Sequence, residues 1–160
     1  MSIHKNAKTL TEKEAFIKAS AFCAYQERTQ NEVRARLYQY GLNMDKVEEI
    51  LCMLIEENFI NEERYAKSFV RGKFRLKKWG RVKIKKELKE RGLSPYCIQK
   101  GMEEIDEEEY INTLTMLAEK KAEEVKEKDI FIKKQKIARY LAGKGYEQDL
   151  VWDIVNSTTQ

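Results

Sequence analysis

One helical pattern occurs three times along this chain, and it constrains the fold more than any other feature. In each copy two apolar residues lie four apart, a glycine follows four residues later, and a second apolar pair comes after it. Residues four apart share one face of a helix, and glycine adopts the left-handed conformation that ends helices. The pattern therefore predicts two helices joined by a glycine turn in every copy. The corresponding residues, at intervals of 51 and 53, are Val33, Leu37, Gly41, Val47 and Leu51; Ile84, Leu88, Gly92, Ile98 and Met102; and Ile137, Leu141, Gly145, Val151 and Val155.

A longer helical pattern precedes each copy, at about 12–27, 62–77 and 107–126. Short three-helix units bury their apolar faces partly against their neighbours, which produces extended arrays. We therefore expect an all-α fold, an elongated and curved array of three tandem three-helix units covering 11–57, 58–105 and 106–156. The residues expected to face inward on the first helices are Phe16, Ile17, Ala21 and Ala24; Tyr65, Phe69 and Leu76; and Tyr110, Leu114, Leu117 and Ala118.

Composition predicts a helical protein without a membrane-spanning segment. One proline and seven glycines in 160 residues are too few for a turn-dense β fold. The sequence has no apolar run long enough to cross a bilayer and no signal-peptide core near Met1. We expect a soluble, cytoplasmic protein without a membrane partner, and a self-contained array of this kind indicates a monomer.

The residues that usually carry catalysis or bind metals are scarce. His4 is the one histidine, and it lies in a polar stretch before the first predicted helix. Cys23, Cys52 and Cys97 form no CxxC pair, so we interpret them as core thiols in a reducing compartment. No Gly-rich phosphate-binding motif occurs. The sequence predicts no enzyme, no cofactor and no metal site.

Charge is concentrated in the middle unit. From Arg64 to Arg91 there are thirteen Lys or Arg and two Glu, a local net charge of +11; because the whole chain is +4, the rest carries −7. Like charges four apart on a helix repel, so ordinary exposed faces mix both signs. This pattern favours a positive surface for an anionic partner such as nucleic acid, with a solvated face as the alternative. Its predicted residues are Arg64, Lys67, Arg71, Arg75 and Lys78 on one helix, and Arg81, Lys85 and Lys89 on the next.

Two features near this surface have alternative interpretations. Trp79 either stacks on a nucleic-acid base or packs beneath the turn at Gly80. The acidic run 103–109 is either a solvated helix start, favoured by the helix dipole, or a contact with basic residues of this chain or of a partner. It lacks the residue spacing of a calcium-binding loop.

The segment 58–105 resembles the RecX family of bacterial recombination regulators. The matching features run from Tyr65-Ala66 through Arg71, Arg75 and Gly80 to Arg91-Gly92-Leu93, and with the flanking units the resemblance covers about 11–156. An acidic pair usually opens the second unit, where this chain has Asn61-Glu62-Glu63.

The resemblance implies a regulator that binds the RecA recombinase filament and modulates, mostly inhibits, its ATPase and strand-exchange activity. It also implies direct contact with single- or double-stranded DNA. Two alternatives remain: a nucleic-acid-binding protein that needs no recombinase, and a helical adaptor for an acidic protein partner.

Overall fold

The structure, a computed structural model, describes residues 9–160, so His4 lies outside the described residues. This part of the chain forms nine α-helices and no strand, as the repeat predicts. The helices are α1 (Glu12–Tyr25), α2 (Gln30–Gln39), α3 (Met44–Glu56), α4 (Glu62–Lys77), α5 (Arg81–Glu90), α6 (Pro95–Met102), α7 (Glu107–Glu124), α8 (Ile130–Gly143) and α9 (Gln148–Thr158). We call α1–α3, α4–α6 and α7–α9 the first, second and third units.

Most of these helices begin at a side-chain cap. A Thr, Asn, Ser or Asp oxygen accepts a hydrogen bond from a backbone N–H of the first turn in every helix except α5 and α9. At α6 the cap is Ser94 with Pro95 at the first helical position, which confirms the predicted start. The two exceptions begin after Gly80 and Glu147, and both lie at the junction of the second and third units.

The repeated glycines end the second helix of each unit. Gly41, Gly92 and Gly145 have φ values of 87°, 82° and 99°, in the region that side chains with a Cβ avoid. Gly145 also lies against α5. A Cβ atom at Gly145 would lie only 2.7 Å from the backbone nitrogen of Lys83, which is too close for two atoms that are not bonded. This glycine is therefore required both for the turn and for the approach of the third unit to the second.

The buried apolar residues form two separate cores. The first unit encloses its own core, centred on Val33, Leu37, Ile50 and Leu54. The second and third units share a core in which Tyr110 packs between two aromatic rings, with ring centroids 5.8 Å from Phe74 and 5.2 Å from Tyr146. The first unit therefore packs around a core of its own, and the described helices form the predicted all-α array of three-helix units.

The contacts between the first and second units are mainly polar. The Arg64 guanidinium lies 2.6 Å from the Glu27 carboxylate, and the backbone N–H of Gln30 donates to the Glu62 carboxylate over 3.3 Å. The Asn31 side chain packs against the turn at Gly92. Arg64, predicted from the sequence to face a partner, thus holds two units of this chain together.

Three predictions of buried side chains are wrong. On α1 the buried residues are Ala15, Ala19 and Cys23, because small side chains at four-residue spacing let the helix approach its neighbours closely. Of the predicted residues, Phe16 is half-buried and packs against the core of the first unit, whereas Ile17, Ala21 and Ala24 are exposed. Leu76 is 83% exposed, since it lies about 200° around α4 from the buried Phe74. Of the three cysteines Cys23 alone is buried, while Cys52 is exposed and Cys97 half-buried.

The remaining inward predictions are confirmed or nearly so. Tyr110, Leu114, Leu117 and Ala118 are buried on α7. Tyr65 is buried on α4, whereas Phe69 is half-buried and packs against the shared core.

Candidate interaction surface

The two basic helices meet at a short turn that fixes their relative direction. Helix α4 ends at Lys77 and is followed by Lys78, whose φ of 58° is left-handed, and α5 begins after Gly80. The backbone N–H of Trp79 donates to the carbonyl oxygen of Lys73, which closes the last turn of α4. The basic residues therefore lie on two helices that are joined by a short turn within the second unit.

The arginines of this segment are paired with carboxylates of the same chain. Each of the five has a glutamate within 4.0 Å, and in four cases the partner lies outside the arginine's own helix. The pairs are Arg64–Glu27 at 2.6 Å, Arg71–Glu104 at 3.4 Å, Arg75–Glu109 at 4.0 Å, Arg81–Glu147 at 2.8 Å and Arg91–Glu87 at 2.7 Å.

Arg81 occupies the most enclosed of these positions. Its guanidinium donates to Glu107 and Glu147 and lies over the ring of Tyr110, 3.9 Å from the centroid. Its backbone N–H donates to the Tyr110 hydroxyl, which in turn donates to Glu147. Burial and the hydrogen bond to Glu147 raise the pKa of Tyr110 well above its usual range, so the phenol stays a donor. These contacts take the place of a side-chain cap on α5.

The acidic run 103–109 has both of the roles considered from the sequence: it forms a helix start and it contacts basic residues of this chain. Asp106 caps α7 and Glu107 to Glu109 lie in its first turn, where the helix dipole favours negative charge. Glu104, Glu107 and Glu109 also pair with Arg71, Arg81 and Arg75. The run therefore neutralises part of the basic segment from within the molecule.

Most lysines of the segment, unlike its arginines, have no carboxylate partner among the described residues. Within residues 9–160, Lys67 pairs with Glu63 at 3.6 Å, whereas the other lysines between Arg64 and Arg91 have no carboxylate within 4.0 Å. These unpaired lysines, called the lysine surface below, are Lys73, Lys77, Lys78, Lys83, Lys85, Lys86 and Lys89. Their charge is available to a partner.

An apolar groove runs beside two of these lysines. Lys85 and Lys89, one turn apart on α5, border a groove of about 530 Å³ between α5 and α6. Its floor is apolar and is formed by Leu93, Pro95, Ile98 and Met102.

Trp79 packs against the protein. Its ring is half-buried, makes an edge contact with Phe69 at 6.5 Å between centroids, and lies beneath the ammonium groups of Lys73 and Lys83 at 4.8 and 4.3 Å. Of the two predicted roles, packing at the Gly80 turn is therefore the one that the structure supports.

Sequence reasoning missed Lys144. This residue of the third unit donates from its Nζ to the carbonyl oxygen of Lys77 over 3.0 Å, which brings it beside the turn between α4 and α5. Burial lowers the pKa of Lys144, and the charges of Lys83 and Lys78 lower it further. No local pattern reveals this contact, because 67 residues separate Lys144 from Lys77.

The fold and the charge distribution define a tandem three-helix repeat protein with a basic middle unit. None of the helices in residues 9–160 is long and apolar enough to span a membrane. In the same residues no group of three or more His, Cys, Asp or Glu side chains could hold a metal ion.

Comparisons with known proteins identify the family. The profile of the second three-helix domain of RecX matches residues 61–102, and that of the third matches residues 107–155. The regulatory protein RecX of Clostridium botulinum (strain Eklund 17B) is 33% identical over 154 residues, which are 92% of this chain and 72% of that protein. This chain belongs to the RecX family of regulatory proteins.

Other relatives agree in sequence and in fold. The regulatory protein RecX of Clostridium perfringens (strain 13) is 35% identical over 134 residues. The crystal structure of RecX from Lactobacillus salivarius superposes with a TM-score of 0.84 at 26% identity, covering 92% of this chain and 96% of that one. The matched region spans 62% of the C. perfringens protein and 51% of the Bacillus cytotoxicus protein, so this chain accounts for little more than half of some relatives.

Proposed function

We propose that this protein binds the RecA recombinase filament and modulates, mostly by inhibition, its ATPase and strand-exchange activity, and thereby regulates DNA repair and recombination. The observation that carries the proposal is the lysine surface on the middle unit of a RecX-family scaffold. Unpaired lysines attract phosphates through counterion release, so the contact is with the nucleic acid of the filament or with acidic protein beside it. The protein acts as a cytoplasmic monomer without a cofactor.

The eight basic residues predicted from the sequence divide into three groups under this proposal. Arg64 and Arg81 hold the units together and set the shape of the array. The partner-facing residues are Lys78, Lys85 and Lys89 with the other unpaired lysines, while Lys67, Arg71 and Arg75 add to the positive potential around them. Arg71 and Arg75 keep 42% and 58% of their side-chain surface exposed despite their pairs.

A binding and strand-exchange experiment tests the proposal. RecA filaments assembled on single-stranded DNA are sedimented with the protein, and strand exchange is followed under the same conditions. We expect co-sedimentation and slower exchange, both weakened by salt. If the protein sediments with naked DNA as tightly as with filaments and leaves exchange unchanged, it is a nucleic-acid-binding protein that needs no recombinase. If it binds neither, an adaptor for an acidic partner replaces the proposal.

A further inference from the structure

The junction between the second and third units is tied together by backbone hydrogen bonds. The N–H of Gly80 donates to the carbonyl of Lys144 over 2.8 Å, and the N–H of Val82 donates to the carbonyl of Gly145 over 2.9 Å. The Tyr146 hydroxyl donates to the carbonyl of Lys78 over 2.9 Å. Side chains at these positions are therefore held in fixed relative places, although they come from segments more than 60 residues apart.

This junction brings together three half-buried lysines. Lys78 and Lys83 come from the second unit and Lys144 from the third, and none has a carboxylate within 4.0 Å in residues 9–160. Their charges act on one another, since those of Lys83 and Lys78 lower the pKa of Lys144, after burial, which is the largest cause. Buried or half-buried cations are normally paired, because removing a charge from water is costly.

The three lysines are not equivalent. Lys144 is fixed by its hydrogen bond to the Lys77 carbonyl, and the Lys83 ammonium lies 4.3 Å above the Trp79 ring. Lys78 donates to the carbonyl of Arg75 and also borders the hollow lined by Asp106 and Glu109. Lys83 and Lys144 are therefore held by contacts within the junction, whereas Lys78 also lies beside an acidic hollow.

We propose that Lys83 and Lys144, with Lys78 at the edge, form a phosphate-binding site across the junction of the second and third units. Several ammonium donors gathered from different directions suit the multiple oxygens and the charge of a phosphate. That the phosphate belongs to a nucleic-acid backbone rests on the proposed function; free polyphosphate has the same chemistry. A bound phosphate would link two units that each contribute a lysine.

Fluorescence of Trp79 provides a direct readout. The W152F variant leaves Trp79 as the single tryptophan, and Lys83 over its ring makes its emission sensitive to an anion at the site. The full chain is titrated at low salt with a twenty-nucleotide oligo-dT, with tripolyphosphate and with a ten-residue polyglutamate. These titrations are run on the parent, on K83A/K144A and on K133A/K134A. Because K83A removes the ammonium over Trp79, the affinities are compared by the anisotropy of labelled oligo-dT, with tripolyphosphate and polyglutamate as competitors. The control removes two other half-buried lysines of the third unit that have no carboxylate partner among the described residues.

The site predicts a specific set of results. We expect K83A/K144A to weaken oligo-dT binding roughly tenfold and to make the slope of log affinity against log salt shallower by about 1.4, the value for two phosphates of a single strand. K133A/K134A should stay within about twofold of the parent, and K83R/K144R should restore binding. Site-dependent binding of tripolyphosphate without binding of oligo-dT supports the site and assigns it to free polyphosphate.

Other results overturn the proposal. Equal losses in the two alanine variants would mean that general charge is responsible, and polyglutamate binding as tight as that of oligo-dT would exclude phosphate selectivity. Thermal unfolding of each variant, followed by circular dichroism, shows whether a loss reflects unfolding. The filament experiment tests the proposed function independently of this site. Wild-type protein can slow strand exchange whether or not the site exists, and the site can bind phosphate whether or not strand exchange is affected.

Discussion

The guanidinium of Arg81 donates to the carboxylate of Glu147 over 2.8 Å, although 66 residues separate them in the sequence. Arg81 begins α5 in the second unit, and Glu147 precedes α9 in the third. The Tyr110 hydroxyl also donates to Glu147, while Glu107 pairs with the same guanidinium. A basic residue that looks from the sequence like part of a binding surface therefore joins two units of the scaffold.

Replacing Glu147 by alanine should destabilise the protein. The change leaves the Arg81 guanidinium with Glu107 alone and removes the carboxylate that accepts the hydrogen bond from the Tyr110 hydroxyl. Allowing for partial solvent exposure, we expect a loss of about 2 kcal/mol in the free energy of unfolding. Urea unfolding measures the loss, and E108A is the control because Glu108 is exposed, next to Glu107 and outside the cluster. Equal midpoints for the two variants would contradict the structural role of Glu147.

Two glycines of α8 and its turn should respond in opposite directions to alanine. At Gly145 the φ of 99° and the contact with Lys83 both exclude a Cβ, so G145A should cost at least about 2 kcal/mol. Gly143 is the last residue of α8, and a Cβ there would meet nothing within 4 Å. G143A should therefore be neutral or stabilising by up to about 1 kcal/mol. Thermal unfolding of the two variants gives the comparison, and a G145A protein as stable as G143A would refute the close approach.

The glycine turns could be predicted because they depend on local backbone conformation, which the repeat shows three times. The bounds of α4 agree with the predicted 62–77, whereas its left-handed end at Lys78 has no glycine to mark it in the sequence. The inward face of α1 could not, because apolar residues lie on most sides of this helix and their spacing selects no face. The choice of Ala15 and Ala19 over Ile17 depends on how closely the neighbouring helices approach.

The candidate surface was predictable as a basic segment but not as a set of contacts. Lysine and arginine look alike in a charge count, whereas the structure pairs Arg71, Arg75 and Arg81 with the acidic run and gives Lys85 and Lys89 no carboxylate partner in the described part of the chain. These pairs depend on where the turn after α6 and the first turn of α7 lie relative to α4 and α5, and sequence spacing carries no record of that. Lys144 was missed for the same reason.

A pair of substitutions on α4 tests the observed buried face. Leu76 is 83% exposed and Phe74 is 3% exposed. L76A should change the free energy of unfolding by less than about 0.5 kcal/mol, whereas F74A should cost about 3–5 kcal/mol because it leaves a cavity in the shared core. Chemical denaturation compares the two, and a large loss for L76A would mean that the sequence-based prediction of an inward Leu76 was correct.

Reversing charge should separate the scaffold arginines from the lysine surface. K85E/K86E/K89E changes exposed residues that have no carboxylate within 4.0 Å among residues 9–160, so its stability should stay within about 1 kcal/mol of the wild type. R81E places a carboxylate beside Glu107 and Glu147 and should cost about 3 kcal/mol or more. Melting temperatures test this division, which fails if the triple lysine variant is the less stable protein.

ATP hydrolysis by RecA filaments on single-stranded DNA tests the central claim most directly. Increasing amounts of wild-type protein, of K85E/K86E/K89E and of the control K120E/K126E/K128E, which reverses three exposed lysines of the third unit, are added to preformed filaments. We predict that the wild type and the control lower the hydrolysis rate, and that the lysine-surface variant needs roughly tenfold more protein for the same effect. An unchanged hydrolysis rate at saturating wild-type protein would contradict the account.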